Sequence, residues 1–125
     1  MSIKNIIFIA NESVMISVGR CLGKFVKMFS QKMVIFLSGE LGAGKTTLVR
    51  GILHQFGHLD TVKSPTYTLV ESYSFEQWSV NHFDLYRLSH PEELEYLGLR
   101  DYYIGLMLNL IEWPENGYKE LAPAD

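Results

Sequence analysis

The sequence predicts an α/β domain with three layers and a mixed sheet of parallel and antiparallel strands, on three observations. The apolar run Met33–Leu37 leads straight into a glycine-rich turn and then into a helical pattern. Two runs rich in β-branched and aromatic residues, Tyr67–Tyr73 and Trp78–Asp84, follow with four residues between them. A third apolar run, Leu106–Ile111, ends directly on a carboxylate, Glu112.

Taken in order, Ile6–Ala10 is short and apolar enough for a strand. Ser13 is placed to cap a helix reaching Phe29, with Val14, Val18, Leu22, Phe25, Val26 and Phe29 as its apolar stripe. Met33–Leu37 has the unbroken apolarity of a strand covered on both faces. A helix is expected from Thr46 to Phe56, with Gly57 as its stop. The two β-rich runs form an antiparallel hairpin. Ser89-His90-Pro91-Glu92 resembles a capping box that opens a short helix ended by Gly98. After Pro114 the chain reads as loop.

Composition narrows the class. The chain has 125 residues, 47% of them hydrophobic, and a formal net charge of -3. One soluble globular domain of this size buries roughly two-thirds of the surface its unfolded chain exposes. The acidic balance argues against a broad non-specific grip on nucleic acid. A single cysteine, Cys21, excludes an internal disulfide and a cysteine-rich zinc site, and suits a reducing compartment. The N-terminal apolar run is too short for a secretory signal, and nothing approaches membrane-spanning length. A cytoplasmic location is therefore expected.

The chemistry lies in Gly39-Glu40-Leu41-Gly42-Ala43-Gly44-Lys45-Thr46, which satisfies the phosphate-loop pattern G-x-x-x-x-G-K-[ST] at every fixed position. Glycines let the backbone curl around an anion. The N–H groups of Gly42, Ala43, Gly44, Lys45, Thr46 and Thr47 then point into the concavity at the positive end of a helix. Lys45 supplies a cation for the outer phosphates, and Thr46 a hydroxyl for Mg²⁺. The alternative is a glycine-rich strand–helix turn with an incidental lysine; a chance match to the pattern need not follow a buried-strand run and open a helix, and this one does both.

A phosphate loop needs a carboxylate at the end of a neighbouring strand to organise Mg²⁺ or water. Asp84 and Glu112 both qualify, and their spacing leaves the division of roles between them open. Thr66, in the Ser64-Pro65-Thr66-Tyr67 loop, is either a γ-phosphate sensor or an ordinary turn residue. Trp113 is either a core aromatic or a ring over the site. His54, His58, His82 and His90 lack metal-ligand spacing and read as structural or surface residues. Arg50, Arg87 and Arg100 are candidate charge stabilisers or surface groups. The absence of an N-K-x-D guanine signature leans base choice towards adenine. The chain is short for a small-molecule kinase with lid and acceptor site. A GTPase-like switch and a nucleotide-dependent adaptor remain as rivals.

The blocks GELGAGKTTLVRG, VKSPTYTLVESY, HFDLYRL, PEELEYLGLRDYY and LIEWPENG, from about Ile35 to Gly117, closely resemble the TsaE (YjeE) family of tRNA threonylcarbamoyladenosine biosynthesis. SPTYTLVE and HFDLYRL are far more specific than the phosphate loop. The resemblance implies a P-loop NTPase-like fold and a cytoplasmic, Mg²⁺-dependent ATPase, weak alone. Its implied partners are the threonylcarbamoyl transferase and that enzyme's inactive paralogue, the TsaD and TsaB families. The assembly modifies the adenosine at position 37 of tRNAs reading ANN codons. The ATPase is implied to act on the assembly rather than perform the transfer, and to meet tRNA only indirectly or weakly.

Residue by residue, the resemblance assigns phosphates to Lys45 and the Gly42–Thr47 backbone, and Mg²⁺ to Thr46 and Glu112. It sets Asp84 near the γ-phosphate for hydrolysis and Thr66 in a switch-like loop. Trp113 falls near the nucleotide, and Glu12 at a nucleotide-edge position. Relatives continue beyond the equivalent of Asp125 into further strands. The expectation is thus a single P-loop ATPase domain over 1–125 without the family's C-terminal strands.

Overall fold

A computed structural model describes residues 4–125. Its sheet has four strands: β1 (Met33–Leu37), β2 (Val70–Ser74), β3 (Ser79–Asp84) and β4 (Met107–Glu112), in the spatial order β1-β4-β3-β2. β4 pairs in parallel with both β1 and β3, and β2 runs antiparallel to β3. The mixed three-layer sandwich expected from the sequence is the fold observed.

Alternation along the strands divides the core into two halves. On one face Leu37, Val80, Leu108 and Leu110 meet Val49, Ile52, Leu53 and Phe56 of α2 (Lys45–Phe56). On the other, Val34, Phe83, Met107 and Ile111 are covered by Leu85, Leu88, Leu94 and Leu99. Those covering residues belong to the long β3–β4 connection, which contains the one-turn helix α3 (Glu93–Tyr96) and a 3₁₀ turn, Leu99–Tyr103. Asn81 and Asn109, buried on this second face, satisfy one another through a 2.8 Å amide–carbonyl hydrogen bond, and Asn109 also donates to the Tyr102 carbonyl.

Several local expectations are corrected. Ile6–Ala10 forms no strand, and Ile6, Ile7 and Phe8 stand exposed. The first helix, α1 (Glu12–Phe29), is capped by Asn11 rather than Ser13, the Asn11 side chain accepting the Val14 N–H at 3.0 Å. Asn serves as well as Ser at an N-cap, so sequence alone leaves a two-residue ambiguity. The anticipated apolar stripe is rotated. Phe25 and Phe29 lie exposed against each other, whereas Gly19, Gly23 and Val26 are the buried residues of α1.

The reason is that α1 packs chiefly on α2, backbone to backbone. A Cβ on Gly19 would lie 2.5 Å from the Leu48 carbonyl oxygen, and one on Gly51 would lie 2.4 Å from that of Ile16. Glycine at both positions permits the approach.

β1 is only partly covered, because it is an edge strand of the described sheet; the strand buried along its whole length is β4, in the interior. At the β1 edge, Val34 is bonded through both its backbone groups to Asp125. The hairpin begins at Val70, not Tyr67, since Leu69 adopts a left-handed conformation (φ 68°) with its N–H on the Pro65 carbonyl. Reciprocal backbone bonds between Phe75 and Trp78 close the hairpin around Glu76 and Gln77. Ahead of α3 it is Glu93, not Glu92, that reaches back to the N–H groups of Ser89 and His90.

The helix contact yields a test. Gly51→Ala should destabilise the fold by about 1–3 kcal/mol through overpacking, read as a lowered urea midpoint. An unchanged midpoint would show that the two backbones do not approach so closely.

Candidate phosphate-binding site

Parallel pairing sets the site. Leu37 at the end of β1 lies opposite Glu112 at the end of β4, and Glu112 lies opposite Asp84 at the end of β3. Three carboxyl ends therefore finish in one row, the edge of an α/β sheet where ligands bind. The glycine-rich turn runs from the first of these ends into α2. Gly42 and Gly44 hold φ values of 78° and 102°, and a Cβ at Gly44 would meet the Met15 side chain at 2.8 Å. The first hydrogen bond of α2 joins the Leu48 N–H to the Gly44 carbonyl. The N–H groups of Lys45, Thr46 and Thr47 thus stand ahead of the helical ladder, at its positive end.

These groups face an open cavity of about 290 Å³. Its wall comprises the turn from Leu41 to Thr47, with Ser64, Thr66, Asp84, Tyr86, Glu112 and Trp113 opposite. Of the residues expected at the site, Gly42, Ala43, Gly44, Lys45, Thr46, Thr47, Thr66, Asp84, Glu112 and Trp113 all line it. Glu12 does not; it pairs with Arg50 across the α1–α2 contact. Arg87 lies over the exposed Tyr67 ring, 4.2 Å from its centroid, and Arg100 is on the surface of the β3–β4 connection, so neither reaches the cavity.

Both acids are buried, Asp84 to 4% exposure and Glu112 to 3%, and each is held by donors. Asp84 Oδ1 accepts the Tyr86 N–H at 2.9 Å, and its Oδ2 accepts the Ser64 hydroxyl and, at 3.4 Å, that of Thr66. Thr66 is thus tied to a site carboxylate, and its loop is anchored by the buried Pro65. Glu112 Oε2 accepts the Thr46 hydroxyl at 3.2 Å and lies 2.5 Å from His82 Nε2. Lys45 donates to the Gly39 carbonyl, and its ammonium sits 3.7 Å from the centroid of the Trp113 ring.

Trp113 is half-buried, lining the cavity while packing against the second core half, with φ 56°, a costly conformation for an aromatic residue. That conformation turns its ring over Lys45, and Tyr86 packs against it at 5.1 Å.

Sequence reading missed Ser64, Tyr86 and His82. The signal for His82 was available: in an alternating strand it shares a face with Asp84. Ser64 comes from a loop, and no periodicity places a loop residue. The other histidines have structural surroundings. His54 sits beside Arg20; partial desolvation, then Arg20, Arg50 and His58, push its pKa below the ordinary imidazole value. His58 packs edge-on against Tyr73, and the His90 N–H joins the cap of α3.

The residues present suit a nucleotide with Mg²⁺. A hydroxyl and a carboxylate, 3.2 Å apart, are hard oxygen donors of the kind Mg²⁺ takes alongside phosphates and water. The adjoining N–H groups and Lys45 suit the phosphates.

This arrangement defines the class: a P-loop NTPase-like α/β domain. Comparison with known proteins then places it within that class. The family model described as "Threonylcarbamoyl adenosine biosynthesis protein TsaE" matches residues 9–125, and the chain belongs to this family. It is 48% identical over 120 residues to the tRNA threonylcarbamoyladenosine biosynthesis protein TsaE of Haemophilus influenzae, covering 94% of this chain and 76% of that one. It is 38% identical over 97 residues to that of Rickettsia felis, covering 74% and 56% respectively. Among solved structures, Bacillus subtilus YdiB superposes with a TM-score of 0.72 at 26% identity, covering 91% of this chain and 67% of that one. The chain thus spans from little over half to about three-quarters of these relatives.

The Asp84 cluster is open to a direct test. Ser64→Ala removes a donor from a buried carboxylate and should cost about 1.5–3 kcal/mol of folding stability in chemical denaturation. A loss below about 0.5 kcal/mol, the ordinary range for surface substitutions, would show that Ser64 does not hold Asp84.

Proposed function

We propose that this TsaE-family chain binds ATP with Mg²⁺ in the cavity between the phosphate loop and Asp84. It hydrolyses ATP weakly alone and more strongly with its partners, in the assembly that forms threonylcarbamoyladenosine in tRNA. The observation that carries this reading is the convergence of Lys45, Thr46, Asp84 and Glu112 on one cavity at the carboxyl ends of β1, β3 and β4.

Each group has a task that its surroundings support. The N–H groups opening α2 and the Lys45 ammonium bind phosphate oxygens. Thr46 and Glu112 hold Mg²⁺, which when bound neutralises charge on the phosphates. Asp84, restrained on both oxygens, orients the attacking water and takes up its proton. Tyr86 and Trp113 wall the cavity and limit access of other water. Ser64 and Thr66 link Asp84 to the Ser64–Tyr67 loop, so the state of the site reaches a surface where Tyr67 is exposed. That link favours a device that reports hydrolysis to a partner over one that modifies a second small substrate.

The partners are the transferase and its inactive paralogue, the TsaD and TsaB families. The chain acts on their assembly and does not transfer the group itself, and contact with tRNA is indirect or weak. The proposed location is the cytoplasm. Among the described residues no helix is long and apolar enough to cross a membrane.

Lys45→Ala should abolish ATP binding in calorimetry, and Asp84→Ala should keep binding while hydrolysis falls by about 10²-fold or more. Adding the transferase–paralogue pair should raise the wild-type ATPase rate. Normal hydrolysis by Asp84→Ala would remove Asp84 from the mechanism, and no stimulation would remove the assembly. Preferential competition by GTP over ATP would favour a GTPase-like switch. Full tRNA modification supported by a hydrolysis-dead Asp84→Ala would favour an adaptor.

A further inference from the structure

His82 is fully buried on β3, and the functions assigned above make no use of it. Its Nε2 lies 2.5 Å from Glu112 Oε2. An ionised carboxylate only accepts hydrogen bonds, so in this contact Nε2 carries the hydrogen. The other ring nitrogen, Nδ1, is buried and has no hydrogen-bond partner among the described residues. The ring thus makes one polar contact, and that contact is with Glu112.

An aliphatic side chain would fill the same place at lower desolvation cost, since a buried polar atom left unpaired is unfavourable. A histidine there gains something only through Glu112. Oε2 of that carboxylate is gripped from two elements, by His82 on β3 and by Thr46 on α2, while Oε1 lies 3.5 Å from the Thr46 hydroxyl.

We propose that His82 is a positioning residue: its Nε2–H fixes the Glu112 carboxylate against Thr46, so that the two oxygen donors are preset for a divalent cation. The inference rests on Thr46 and Glu112 holding Mg²⁺. Groups hydrogen-bonded behind a metal-ligating side chain affect metal affinity by about 10–100-fold. Without its anchor Glu112 keeps one neutral donor and can turn away from the pair geometry.

Two measurements decide this. In the wild-type protein without ligand, long-range proton–nitrogen correlation of the imidazole should show the His82 hydrogen on Nε2. Its resonance should move when Mg²⁺ is added to the ADP-loaded protein. A hydrogen on Nδ1 alone, or a resonance indifferent to Mg²⁺, overturns the proposal without any variant.

The second compares His82→Gln, whose amide N–H reaches where Nε2 lies, with His82→Met, which has similar length and no donor. Mg²⁺ titration of the ADP-loaded proteins should show His82→Met weakened by about 10–100-fold and His82→Gln close to wild type. Both should bind ADP in EDTA as wild type does. Wild-type Mg²⁺ affinity in His82→Met, or equal loss in both variants, overturns the positioning role. If ADP binding to the wild type does not respond to Mg²⁺, the proposed function itself fails. The tautomer measurement, which needs no ligand, then still reads the His82–Glu112 contact.

Discussion

A carboxylate removed from water has to be held by donors, and the way Glu112 is held ties this structure together. Its own strand, β4, is one of the two interior strands of the sheet. One donor, Thr46, comes from the first turn of α2, and the other, His82, from the neighbouring strand β3. Glu112 therefore joins the phosphate loop to the sheet at the point where three parallel strands end. The contact geometry depends on register, because a slip of one residue along β3 would turn His82 and Asp84 to the opposite face.

Around that point the two core halves have different parts. On the face carrying α2 the sheet packs on a regular helix, and α1 is added behind that helix through glycines rather than through its aromatic residues. The opposite face is covered by a largely irregular connection, pinned by Leu85, Leu88, Leu94 and Leu99. That connection begins directly after Asp84, and the Leu85 N–H bonds the Glu112 carbonyl. The segment that completes the core therefore also fixes the backbone beside both acids. Strain at Trp113 belongs to the same region: its left-handed backbone sets a ring beside Lys45 that a relaxed strand end would not.

Much of this was legible in the residues because their signals are local. The phosphate loop has fixed spacing. Met33–Leu37 and Leu106–Ile111 are apolar runs of strand length, and both strands formed within a residue of their expected limits. The blocks outside the loop pointed to the TsaE family that comparison then showed. Misreadings arose where the deciding partner was distant in sequence. The buried side of α1 is set by the α2 backbone, not by its apolar count. Which strands are interior depends on the order β1-β4-β3-β2, which no run of residues states. The partner of Glu12 is likewise distant: its carboxylate meets Arg50, 38 residues further along the chain.

By itself the sequence determined the chemistry on offer: a loop with positive-φ glycines, a lysine and a hydroxyl at a helix start, and acids ending two apolar strands. Those properties follow from residue type and near-neighbour spacing, which survive without any knowledge of the fold. Only the tertiary structure decided which of the candidates meet. It aligned Asp84 with Glu112, set Ser64 against the former and His82 against the latter, and turned Arg50 and Glu12 to each other. Those pairings depend on strand order, register and loop path, and the long-range contacts that fix them are invisible to local pattern.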